Sequence, residues 1–480
     1  MTDLAFLDAT AQAELVRAGD ATPADLVDAA IGRIEAVNPE LNAVIHPLFD
    51  RAHAAVDAGL PDGPFRGVPI VIKDWDGMLA GAPFHGGNKL LKEIGFNAPS
   101  TAYLFQKLEA AGFVIVGKTN TPEFGFQPTT EPEAYGPAHN PWDTTRGTGG
   151  SSGGSAASVA AGLVPVGHAG DGGGSIRIPA SACGLFGLKP TRGRISLGPD
   201  DSEAWANMVV RHVVTRTVRD SAKVLELLAG PMPGDYSTTT LPTGPYSADV
   251  GADPGKLRVG LRTRAPGDLA AVDPVCAAAA EETARRLEAL GHTVVDAGPA
   301  ALDEQTLLDS FIVVLAAEAT TGLELLATVA GREVTEADVE PLTWSYAELG
   351  KSLTAAQHVT AIAALQSWAR RTMSWWFDDG FDLLLTPTMA EPPPLLGDLA
   401  YDPDHAGREG ARATPFACFT LPFNVTGQPA MSVPLTWSAS GLPIGSQLVA
   451  MTGREDLLIK VAAQLEAAHP WAGRIPPVHA

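Results

Sequence analysis

Two glycine- and serine-rich segments bracket residues 146–181: Gly149-Gly150-Ser151-Ser152-Gly153-Gly154-Ser155 at one end and Asp171-Gly172-Gly173-Gly174-Ser175 at the other. Glycine admits positive φ and close approach to a ligand, and its unencumbered N–H groups can converge on an anion or a developing oxyanion. Ordering such a run costs backbone entropy, so a fold that orders it needs a reason. Ser175 follows three glycines, a context that exposes its hydroxyl while turning successive amides toward one point. A serine hydroxyl also needs a base to become a nucleophile. Lys73 is a candidate, because it ends the apolar run Val68-Pro69-Ile70-Val71-Ile72, where partial desolvation would favour its neutral form. A solvated lysine at a strand end fits the same residues equally well.

Two short patterns match familiar motifs and fail on context. Residues 112–119, GFVIVGKT, fit GxxxxGK[ST], but the free positions are Phe, Val, Ile and Val, which predict a buried strand, and Asn120-Thr121-Pro122 follows where a phosphate loop needs a helix. Residues 149–153, GGSSG, fit the GxSxG nucleophile elbow, yet residues 144–148 are not the buried strand that must precede it. Neither His168 nor His212 lies in a context that identifies a triad base.

The elements that must position these residues follow from hydrophobic period and punctuation. Residues 8–18 carry apolar positions at helical spacing and end at Gly19, and Thr22, Pro23 and Asp25 open a second helix with a capping hydroxyl, a first-turn proline and an acid at its third position. Strand-like runs at 68–72 and 112–117 flank a helical segment at 101–110. A small-residue helix is expected from about Gly154 through Ala160, further helices at 216–228, 273–290 and 456–467, and strands at 257–261, 293–295, 381–385 and 443–448. This alternation predicts an α/β protein, a mixed sheet with helices on both faces. The Pro- and Gly-rich stretches 230–254 and 389–410 read as loops, and no 20–50-residue period repeats. The expectation is one domain over 1–480, with a core over 67–192 and a helical excursion over 230–380.

Composition narrows the partners. The 480 residues are 45% hydrophobic, enough for a large core. A formal charge of -22, from 33 Lys plus Arg against 55 Asp plus Glu, argues against nucleic acid and anionic membranes. Cys183, Cys276 and Cys418 are widely separated with no CxxC or CxxH pair, which disfavours a disulfide framework or a thiolate metal site and fits a reducing compartment. No basic-then-apolar leader opens the chain and no run of 18 apolar residues is present, so the expected location is cytoplasmic.

Taken in order, the motifs resemble the amidase signature family over nearly the whole chain. They are Gly67-Val68-Pro69 through Lys73-Asp74, Gly117-Lys118-Thr119-Asn120, Asn140-Pro141-Trp142, the two glycine-serine segments with Ile176-Arg177-Ile178-Pro179-Ala180, and Gly187-Leu188-Lys189-Pro190-Thr191. The resemblance implies an amidase signature α/β fold and a Ser-cisSer-Lys relay. In it Lys73 is the base, Ser151, after a cis peptide bond, is the bridging serine, and Ser175 is the acyl-accepting nucleophile. It implies an oxyanion hole from the amides of Gly172, Gly173, Gly174 and Ser175, with Asp171 and Arg177 orienting that segment, Ser155 as a supporting hydroxyl, and Ser152 either supporting or merely packing the loop.

The implied chemistry is hydrolysis of a small-molecule amide through an acyl-enzyme, with carbamates or esters as further substrates, no metal, no organic cofactor and a homodimeric assembly. At two pocket positions, Phe126 and Leu315 within residues 312–316, the chain is apolar where the resemblance would place polar residues. That points to an aryl or apolar substrate, although Phe126 also suits a core position. The alternatives are a glutaminase subunit of a tRNA-dependent amidotransferase and a noncatalytic binding protein.

Overall fold

The apolar run before Lys73 becomes the strand Pro69–Lys73, buried at all five positions. Its side chains alternate between two cores, as a strand inside a two-faced sheet must. Ile70 and Ile72 pack with Phe105, Leu108 and Val213 on one face, whereas Val71 packs with Val27, Ile31 and Val159 on the other. Alternation therefore puts Lys73 on the face of Val71. The computed structural model describes residues 4–402, 404–405 and 407–480. Residues 1–3 of the expected domain, and 403 and 406 of the loop expected at 389–410, lie outside the described residues.

Pro69–Lys73 belongs to an eleven-stranded sheet ordered Val44–Pro47, Val114–Thr119, Pro69–Lys73, Val166–Asp171, Val210–Thr215, Phe186–Lys189, Ala430–Trp437, Pro443–Ala450, Leu383–Pro387, Arg258–Leu261 and Thr293–Asp296. Pro69–Lys73 pairs in parallel with both neighbours, the centre of the sheet is antiparallel, and the last three strands are again parallel. The sheet is mixed and helices cover both faces, as expected. The run matching the phosphate-loop pattern is the buried strand Val114–Thr119. Its Lys118 ammonium lies 2.6 Å from the Asp74 carboxylate.

Local signals place the outer helices. Helix Ala9–Ala18 starts at Asp8, which accepts from the Ala11 N–H, and stops at Gly19 with φ 79°. Helix Pro23–Leu41 opens with the reciprocal Thr22–Asp25 capping box.

The helices at the site obey closer constraints. Helix Gly153–Ala160 is buried along its whole length, and its first residues touch backbone: a Cβ on Gly154 would stand 2.5 Å from Ala43 O and from Asn120 N. Helix Arg177–Cys183, also wholly buried, follows the second glycine segment.

Residues 230–380, expected as a helical excursion, begin with the strands and helix expected over 257–261, 273–290 and 293–295. Strand Arg258–Leu261, helix Pro274–Ala289 and strand Thr293–Asp296 form a parallel β–α–β unit at the edge of the main sheet. Only beyond it is the segment helical, in Thr306–Ala330, Pro341–Lys351 and Ala355–Asp378. Thr306–Ala330 has 25 residues and holds an 18-residue window of mean hydropathy 1.7, long and apolar enough to cross a membrane by length and composition; a third of that window is buried against the rest of the chain. Small residues and scattered acids hid it from a search for an unbroken apolar run.

Candidate active site

Lys73 is 1% exposed at its strand end. Its Nζ stands 2.7 Å from Ser151 Oγ and donates to Asp76 Oδ2 at 2.5 Å. Burial pushes the ammonium below the ordinary lysine range, while Asp76, and more distantly Asp171, pull it back up. Asp76 reaches Lys73 because strand Val166–Asp171 presents Gly170 to it, where a Cβ would stand 2.2 Å from Asp76 Oδ2. Asp76 escaped the sequence reading. Its signal was the acidic turn Asp74-Trp75-Asp76-Gly77 directly after the strand.

Ser151 precedes the buried small-residue helix, and the Gly150–Ser151 peptide is cis. Ser152 does more than fill the loop: its Oγ donates to Gly170 O at 3.2 Å and accepts from the Gly170 N–H at 3.3 Å, tying the helix start to the strand under Asp76. Ser155 Oγ donates to His168 O at 2.7 Å and lies 2.8 Å from Thr119 Oγ1, so it joins two strands beneath the site.

The second segment leaves strand Val166–Asp171 and turns at Gly174, whose φ of 139° suits glycine. Among the described residues, the N–H groups of Gly172, Gly173, Gly174 and Ser175 donate to no protein acceptor, and Ser175 Oγ has no hydrogen-bond partner. Four free amides thus run up to and include the residue that carries the free hydroxyl. Arg177 fixes the segment from below. It forms a bidentate pair with Asp171 at 3.0 and 2.9 Å and donates to Thr420 O, Gln447 Oε1 and Asn424 Oδ1. Asn424 Nδ2 also donates to Asp171 Oδ1, and Thr420 Oγ1 to Gly173 O at 2.7 Å. Burial alone would raise the Asp171 carboxyl, but Arg177 and these donors hold it down at about 2. Sequence reasoning did not assign Thr420, Asn424 or Gln447 to the site, because 243 to 270 residues separate them from Arg177.

Ser151 and Ser175 line one cavity of about 500 Å³. Trp75, Phe84, Phe124, Phe126 and Trp205 form much of its wall. Phe126 stacks on Trp205 at 5.6 Å and 21°. Leu315 is not among the lining residues and is buried elsewhere, which corrects its placement in the pocket: helix Thr306–Ala330 meets the cavity from Glu318 onward, about one turn later.

Other candidate bases and ligands are accounted for by packing. His168 and His212 lie fully buried on adjacent strands, where desolvation holds His212 near 3 and His168 well below its ordinary value. His46, Asp74 and His85 cluster closely enough to suggest a metal. The Tyr135 hydroxyl, bonded to both histidines, and the Lys118 ammonium already occupy that space, so the residues do not fit a cation.

Such a mixed sheet, carrying a buried lysine against one glycine-flanked serine and a second serine among free amides, defines a class. A family model described as Amidase matches residues 25–459, and the chain belongs to the amidase signature family as a hydrolase of carbon–nitrogen amide bonds. It is 45% identical over 476 residues to the 6-aminohexanoate-cyclic-dimer hydrolase of Paenarthrobacter ureafaciens, across 98% of this chain and 96% of that one. A solved structure of 6-aminohexanoate cyclic dimer hydrolase matches with TM-score 0.96 at 44% identity, covering 100% of both chains. A bacterial aryl acylamidase structure of the same family matches with TM-score 0.87 at 27% identity, across 98% of this chain and 99% of the other.

Proposed function

We propose that the protein is a serine-dependent amidase that hydrolyses apolar amides, aryl or cyclic, through an acyl-enzyme on Ser175. The observation that carries this reading is the 2.7 Å approach of a fully buried Lys73 to Ser151, beside a free Ser175 hydroxyl with four undonated amides. Neutral Lys73 accepts the Ser151 proton as Ser151 takes that of Ser175, whose oxygen attacks the amide carbonyl. The amides of Gly172, Gly173, Gly174 and Ser175 bind the oxyanion, and the proton returns through Ser151 to the departing amine. Water then attacks the acyl-enzyme by the same relay and releases the acid.

The aromatic wall supports an apolar acyl or amine portion, and the names of the relatives point to cyclic and aryl amides. Carbamates and esters present the same carbonyl to the same serine, so slower turnover of both is expected. Labelling by an acyl-directed fluorophosphonate should modify the protein and fail with Ser175→Ala; undiminished labelling of that variant would remove Ser175 as nucleophile. Alongside it, a panel of anilides, cyclic amides, carbamates and glutamine should show apolar amides turned over best. Turnover of glutamine alone would favour the amidotransferase glutaminase instead.

A further inference from the structure

A second group of titratable side chains lies outside the relay, where the turn Glu123–Gly125 meets the start of helix Pro341–Lys351. Glu123 is 2% exposed and both of its oxygens are engaged: Oε1 accepts from Asn88 Nδ2 at 2.7 Å and Oε2 from the Glu340 N–H at 2.8 Å. Glu340 caps the N-terminus of that helix, and its Oε1 accepts from the Glu133 N–H at 2.8 Å. Asn88 Nδ2 donates further to Asp338 O at 3.0 Å. Two carboxyl groups thus hold the helical region to the sheet-bearing core, each gripping backbone on the other side.

The turn they hold is the wall behind Ser151. Phe124 N–H donates to Gly86 O at 2.8 Å, and a Cβ on Gly125 would stand 3.2 Å from Ser151 Oγ and 3.3 Å from Trp75 Cδ1. Phe124, Gly125 and Phe126 all face the cavity. Helix Pro341–Lys351 packs so tightly on Thr306–Ala330 that a Cβ on Gly350 would meet Ala316 O at 2.1 Å, and Thr306–Ala330 supplies another side of the same cavity.

The Glu340 N–H bond to Glu123 brings a half-buried carboxyl and a buried one to the same junction, where two carboxylates do not both ionise readily. Burial raises the Glu123 carboxyl as well, but both of its oxygens accept N–H bonds, which favours the proton on Glu340, on the oxygen that does not face Glu133. Burial first, and then the Glu123 charge with a smaller push from the Glu133 charge, raise the Glu340 carboxyl to about 8, against the Glu133 N–H bond, which favours the ionised form, and a weaker pull from Lys89. The cations around the junction have other partners: Lys89 pairs with Glu133 at 3.0 Å, Lys92 donates to Ala134 O at 2.5 Å, and Arg332, with Glu93 nearby, pairs with Asp338 at 2.7 Å.

We propose that Glu123 and Glu340 form a proton-held clamp that keeps the Glu123–Gly125 turn seated against Ser151, with Glu340 as a positioning residue that acts through the turn. The proposal rests on the reading of Ser151 as the relay serine. When the clamp is closed Glu340 keeps its proton; when it is open Glu340 loses it near the ordinary value of 4.5. The closed state is therefore fully favoured below that value, weakens by about tenfold per pH unit from there to about 8, and declines no further above it.

Thermal unfolding of Ser175→Ala and of Ser175→Ala/Glu340→Gln between pH 5 and 9.5 tests the clamp without relying on turnover. Glutamine keeps the acceptor for the Glu133 N–H and cannot ionise. The Tm of the double variant relative to the single one should rise between pH 5 and 8, by about 2–4 °C, then stay level. With Ser175 restored, the ratio of kcat/KM for Glu340→Gln over the unsubstituted enzyme should climb and level off at the same midpoint. A pH-independent difference in both would mean a plain structural contact and overturn the proposal. Should Glu340→Gln not fold, amide exchange of residues 122–126 and 341–346 in the unsubstituted protein, corrected for intrinsic rates, should lose protection from pH 6 to 8 and no more by pH 9; unchanged protection overturns it. Fluorophosphonate labelling that survives Ser175→Ala sinks the relay and leaves the clamp standing, whereas a flat Tm difference does the reverse.

Discussion

Removing the Asp76 carboxylate should make Lys73 easier to deprotonate, because that carboxylate is the largest influence opposing burial of the ammonium. In the proposed relay Lys73 must be neutral, so kcat/KM should rise with pH through the Lys73 titration, below the ordinary lysine value of 10.5. Asp76→Asn should move this acid limb downward by about 1–3 pH units, the usual effect of one adjacent charge, even if the maximal rate falls. A pH profile with the limb unmoved or shifted upward would show that Asp76 does not set the charge of Lys73. Lys73, Ser151 and Ser175 were legible in the sequence through ordered motifs, although the bare residues left Lys73 undecided between a base and a solvated strand end. Asp76 was not legible, since its role depends on a bare Gly170 nearly a hundred residues away.

Helix Gly153–Ala160 can follow Ser151 so closely packed because its first two residues, Gly153 and Gly154, carry no side chains. With backbone on both sides of Gly154, an added methyl has no flexible neighbour to displace. Gly154→Ala should therefore destabilise the protein by about 1–3 kcal/mol or more and depress activity with it. Gly32→Ala, in the exposed middle of helix Pro23–Leu41 with nothing within 4 Å of the new Cβ, should instead stabilise by about 0.5–1 kcal/mol. Paired denaturation curves decide both, and equal effects would contradict the packing around Gly154. Elements with strong local signals were readable in advance, such as the Thr22–Asp25 capping box and the apolar run Val68-Pro69-Ile70-Val71-Ile72. Strand Val166–Asp171 was not, because Val-Gly-His-Ala-Gly-Asp has neither alternation nor β-branched bulk. It is a strand because neighbours on both sides pair with it.

Across the whole molecule, the buried Asp171–Arg177 pair ties the first half of the chain to its C-terminal part through hydrogen bonds from Arg177 to Thr420, Asn424 and Gln447. Asp171 is held at about 2 against an ordinary 3.8, so its contribution is present above 3.8 and lost as pH falls through about 2, a matter of about 2 kcal/mol. Asp171→Asn leaves the fully buried Arg177 without its anion and should cost about 3–5 kcal/mol at pH 7, while flattening acid unfolding between pH 4 and 2. An acid-unfolding curve parallel to that of the unsubstituted protein would remove the pair from that role.

The grip of Thr420, Asn424 and Gln447 on Arg177 also has a temporal side. During synthesis the glycine loop around Ser175 leaves the ribosome long before the residues that fix its shape. A growing polypeptide should therefore gain hydrolytic competence only after translation has passed residue 447, with the closing strands rather than with the serine itself.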